Sequence, residues 1–66
     1  MTFAAIQPGQ LFHLPGETII YRRPYRNEVL RDALATCYSI NTDPRVPDYI
    51  EPTDPVLLIK GATSAR

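Results

Sequence analysis

The sequence predicts a small all-β domain of five short strands, and three observations lead there. The chain has only 66 residues, which sets a single domain. Its seven prolines, about twice the usual share, are spread out rather than clustered and cut the chain into short pieces. The pieces between them are rich in β-branched and aromatic residues and are bounded by turn signals.

The elements follow in order. Pro8-Gly9 and Pro15-Gly16 are turn dipeptides, because proline presets φ at one turn position and glycine allows φ > 0 at the next. Between them, "QLFHL" reads as a first strand, with Leu11 and His13 on one face and Phe12 and Leu14 on the other. "TIIYRR" reads as a second, with Ile19, Tyr21 and Arg23 on one side and Ile20 and Arg22 on the other. Pro24, lacking an N–H, ends that ladder or sits on an edge. "NEVLRDALATCYSI" carries two patterns. Val29, Leu30, Ala33, Leu34 and Cys37 recur at helical spacing behind Asn27, a good N-cap, while Leu34, Thr36, Tyr38 and Ile40 alternate as a strand would. The expectation is a short helix or helical turn near residues 27–35 and a strand from about Ala33 to Ile40. "NTDPRVPD" reads as a turn region, "YIE" as a fourth strand, "PTDP" as a tight turn and "VLLI" as the closing strand. Residues 1–60 read as one domain and 61–66 as a flexible C-terminal tail. The expected core draws on Leu11 or Phe12, Leu14, Ile19 or Ile20, Leu34, Cys37, Tyr38, Ile40, Ile50, Val56, Leu58 and Ile59.

The opening Pro8, Gly9, Leu11 and Phe12 and the closing Pro52, Asp54 and Val56 resemble the two ends of small SH3-like barrels found in short bacterial and phage proteins. The resemblance implies a five-stranded SH3-like barrel. It brings little function with it, since many such proteins have no assigned activity.

Composition narrows the function classes. One cysteine excludes an intrachain disulfide, and one cysteine with one histidine argues against a zinc site. No apolar run approaches the ~20 residues of a membrane helix, and the start has no basic, apolar leader pattern. A cytoplasmic protein with no membrane association is expected. The net charge is zero, unlike most proteins that hold nucleic acid by their overall field. The charge is nonetheless uneven. Residues 17–31 hold four arginines against two acids, and residues 43–54 hold four acids against Arg45. Such a split suits contact between copies, or simply solvated loops.

Residues able to carry chemistry are few. Cys37 and His13 could form a nucleophile–base pair only if their strands were neighbours, and a buried thiol filling a core gap accounts for Cys37 as well. Asp43, Asp48, Glu51 and Asp54 lack the register of a calcium loop and suit turn capping. No phosphate loop and no cofactor motif is present. No catalytic role is expected. What stands out is "YRRPYR". Tyr21, Arg22, Arg23, Tyr25 and Arg26, joined by Arg31, form the candidate binding surface. Arginine and tyrosine dominate protein–protein hot spots, and they also hold single-stranded nucleic acids and phosphorylated ligands. Charge and proline at this position also protect a strand edge. The expected function is non-enzymatic, a protein-interaction or assembly module that binds a protein partner or forms a homo-oligomer. Nucleic acid or a nucleotide is the alternative ligand.

Overall fold

The computed structural model describes residues 1–30, 32 and 34–59. It holds a 3₁₀ turn at Phe3–Ala5 and five strands: β1 Leu11–His13, β2 Tyr21–Arg22, β3 Cys37–Ser39, β4 Pro47–Asp48 and β5 Leu57–Leu58. Every pairing is antiparallel, and the strand order is β4-β3-β2-β1-β5. The fold is therefore all-β with five strands, but the sheet does not close into the expected barrel. β4 and β5, which a barrel would join, stand at opposite edges. Strands of two or three residues carry few ladder bonds, and Pro47 has no N–H to give, which only an edge strand tolerates.

Both Pro-Gly turns form. Gln10 N donates to Gln7 O at 3.0 Å and Glu17 N to Leu14 O at 3.1 Å. Gly9 and Gly16 sit at φ +85° and +80°, as the third residue of a type II turn requires.

The register sorts side chains into two rows. Phe12 opposes both Tyr21 and Leu58, and Tyr21 opposes Ser39. This row faces the core, where Phe3, Ile6, Phe12, Tyr21, Cys37, Ile50 and Val56 cluster with Leu14, Ile19 and Leu58 against them. Phe12 is completely buried, worth roughly 1.5–3 kcal/mol by apolar burial. Its ring stacks on Tyr21 and meets Phe3 edge-on. The other row, Leu11–Arg22–Tyr38–Pro47, lies on the opposite face of the sheet.

Four expectations need correction. Leu34 is 78% exposed rather than core. No helix forms among the described residues of 27–35; Arg31 and Ala33 lie outside them. Local side-chain bonds compete with a helix there. The Glu28 carboxylate accepts from Tyr25 N, and that of Asp32 from Leu34 N. β3 starts at Cys37 rather than near Ala33. The fourth strand is Pro47–Asp48 rather than 49–51, because Thr36 Oγ1 both donates to Ile50 O (2.9 Å) and accepts from Ile50 N (2.7 Å). A side chain thus takes the backbone groups that a ladder would have used. The expected tail at 61–66 lies outside the described residues.

The N-terminus supplies core that the sequence reading omitted. Phe3 N donates to Asp54 O, Ala4 N to Pro52 O and Val56 N to Met1 O, so residues 1–4 run along 52–56. This strap delivers Phe3 and Ile6, both buried, onto Phe12.

Candidate functional site

The structure divides "YRRPYR" between interior and surface. Tyr21 is a core residue. Burial, helped by the Asp48 carboxylate, pushes its phenol up to about 12. Arg23 turns to the same side and clamps the strap. Its Nη1 donates to Ile6 O at 2.5 Å, and its guanidinium lies 5.1 Å from the centroid of the Phe3 ring. Both residues therefore hold the fold together rather than line the candidate binding surface, although they do share one face as the alternation predicts.

Arg22 lies on the outer row. Its guanidinium sits 5.5 Å from the centroid of the half-exposed Tyr25 ring. Its Nε is buried without a hydrogen-bond partner. Tyr25 in turn lies on Gly9, where a Cβ would come within 2.5 Å of Tyr25 Cε1. Arg26 is exposed in the turn that Glu28 N closes on Tyr25 O. Arg31 lies outside the described residues.

A second cation–aromatic layer, missed in the sequence reading, adjoins the first. Tyr38 opposes Arg22 across β2 and β3, and Arg45 lies 5.4 Å from the centroid of its ring. The Tyr38 hydroxyl donates to Glu28 Oε1 at 3.2 Å. Burial pushes this phenol up, Arg22 pulls it back down, and Glu28 adds to the rise. Glu28, Leu30, Asp32, Tyr38, Arg45 and Pro47 line a cleft of about 280 Å³. Leu30, Tyr38 and Pro47 give it an apolar and aromatic lining, Glu28 and Asp32 bring two carboxylates, and the exposed Arg45 lies over the Tyr38 ring. Tyr49 donates its hydroxyl to Asp32 Oδ2, which holds that carboxyl below its ordinary value. Two sequence signals pointed here. Tyr38 alternates away from Cys37, and Arg45 is the lone base in an acidic stretch.

The groups weighed for other chemistry fall elsewhere. Cys37 on β3 and His13 on β1 are separated by β2, so their strands are not neighbours. Burial, with the nearby Asp48 charge, pushes the Cys37 thiol up to about 12, which disfavours the thiolate. Asp48 and Asp54 accept the backbone N–H of Tyr49 and Glu51. Among the described residues, no three metal-ligating side chains converge, and no helix is long and apolar enough to cross a membrane. No family model, curated protein or solved structure matches this chain.

Proposed function

We propose that the protein is a non-enzymatic interaction module of the cytoplasm, and that the outer face of its sheet is the contact surface. The observation that carries this reading is the pair of ordered cation–aromatic layers, Arg22 with Tyr25 and Arg45 with Tyr38, set side by side by the β2–β3 register. Arginine and tyrosine held in place by the fold lose little freedom on binding, which is the character of interface hot spots. Exposed Tyr25 and Arg26 extend the surface, which ends at the cleft. The carboxylates of Glu28 and Asp32 at the cleft favour a protein over a phosphate-bearing ligand, because they repel the anion that the arginines would attract. A buried, unpaired thiol suits a reducing compartment. The strand order, with β5 returning beside β1 after a chain-order meander, supports an opened form of the SH3-like barrel as the scaffold.

The test compares the wild type with Arg22→Gln/Tyr25→Ala/Arg26→Gln, a variant that spares Arg23 and hence the strap. Single-stranded oligonucleotides are titrated at low and moderate salt, and the protein is used as bait in an extract of its host. The expected result is no oligonucleotide binding and a protein retained by the wild type alone. Salt-dependent oligonucleotide binding that the variant loses would replace this reading with the nucleic-acid one.

A further inference from the structure

Resting on that reading, we infer that the partner seated on the cleft is a second copy of this chain, docked about a twofold axis. Two features of the cleft lead there. The first is its charge pattern. Glu28 and Asp32 belong to the segment after β2, whereas Arg45 belongs to the β3–β4 connection and lies over the face of Tyr38, whose hydroxyl end is on Glu28. The aromatic ring thus stands between the two signs. A twofold interface uses the same patch from both copies, so it must carry both signs, displaced from the axis. Here Arg45 of each copy meets Glu28 and Asp32 of the other, giving two equivalent contacts.

The second feature is the apolar border. Val29 is 92% exposed and lies between the lining residues Glu28 and Leu30; Val46, also exposed, lies between Arg45 and Pro47. Exposed Leu34 and Tyr49 are both bonded to Asp32, through the Leu34 N–H and the Tyr49 hydroxyl. Four of the seven large exposed hydrophobic residues among those described are therefore sequence neighbours or hydrogen-bond partners of residues that line one cleft. Charges set the register and specificity of an interface, and apolar burial drives it. A standard interface takes about 800 Å² from each partner, under a fifth of the 4507 Å² surface of this chain. A 66-residue domain with a small core is also the kind that a partner subunit stabilises.

Sedimentation velocity over a concentration series tests this. Three variants accompany the wild type: Arg45→Glu, Glu28→Lys and Asp32→Lys. Arg45 is exposed and takes no part in the core, so its variant keeps the fold; Asp32→Lys supports the result if Glu28→Lys, which loses the hydrogen bonds from Tyr25 N and the Tyr38 hydroxyl, folds poorly by circular dichroism. The expected result is a concentration-dependent dimer for the wild type. Each variant alone should dissociate at least about tenfold more readily. Arg45→Glu mixed with either lysine variant should recover the dimer, because the mixed pair again sets opposite charges against each other at both contacts. A monomeric wild type at every concentration would overturn the inference, while loss of an extract partner by the Arg22/Tyr25/Arg26 variant would still uphold the interaction reading. A dimer that none of the variants weakens would place self-association on another surface and overturn it too.

Discussion

Arg22 and Tyr38 face each other across the β2–β3 ladder, and each is covered by a residue of opposite kind, Arg22 by the Tyr25 ring and Tyr38 by the Arg45 guanidinium. Neither covering residue lies in a strand; both come from the connections that leave the ladder. The sheet sets the spacing of the two layers, and the connections supply their exposed half. This is how a fold with strands of two and three residues presents an ordered polar surface.

The two neighbouring arginines of "YRRPYR" should separate in stability measurements. Arg23→Gln removes a charged donor from Ile6 O and the cover of Phe3, so it should cost about 1.5–3 kcal/mol. Arg26→Gln, at an exposed turn position, should stay within about 0.5 kcal/mol of wild type. Urea denaturation measures both. Equal losses would refute the assignment of Arg23 to the strap.

The two turn glycines should also differ. Gly16→Ala meets no atom within 4 Å, so its cost is the positive φ alone, about 1–2 kcal/mol. Gly9→Ala carries the same strain and drives a methyl into the Tyr25 ring. Its extra loss should vanish in the Tyr25→Ala background, a double-mutant cycle that isolates the contact. An extra loss that persists without the ring would show that Tyr25 is not what fills the space over Gly9.

Stability should fall on the alkaline side. Cys37 is held neutral to about 12 against an ordinary 9.0, and Tyr21 to about 12 against 10.0. A folded value raised above the unfolded one leaves stability intact below the unfolded value and erodes it above, as the unfolded chain sheds protons that the folded chain keeps. The decline should begin near pH 9 with the thiol and steepen near pH 10 with the phenol. In Cys37→Ala, which itself should cost about 1 kcal/mol at neutral pH, the decline should begin near pH 10. Denaturant midpoints from pH 7 to 11 measure the onset, and an unchanged onset in the variant would contradict the burial of the thiol.

How much of this was legible in the sequence follows from the range of each interaction. The Pro-Gly turns were, because glycine and proline fix the backbone locally. The separation of Arg22 from Tyr21 and Arg23 was, because strand alternation needs no partner. The fourth strand was not, because Thr36 captures Ile50 from fourteen residues away and leaves pairing to Pro47–Asp48. The helical spacing of Val29, Ala33 and Leu34 misled because spacing alone does not say whether a face has anything to pack on, and Val29 and Leu34 are exposed. The strap was overlooked although Phe3 and Ile6, three residues apart before a Pro-Gly turn, carried its signal. The cleft joins Glu28, Leu30 and Asp32 to Tyr38, Arg45 and Pro47, a juxtaposition that only the β2–β3–β4 register creates.

The central claim is that copies of this chain meet through the outer face around Arg22, Tyr25, Tyr38 and Arg45. Backbone amide spectra of isotope-labelled protein, recorded over a concentration series, test it most directly. The account predicts shifts that grow with concentration at residues 22, 25–30, 32, 38, 45, 46, 48 and 49 and leave Phe12, His13 and the β5 edge at Leu57–Leu58 unchanged. Shifts centred on Leu57–Leu58, or none at any concentration, would contradict it.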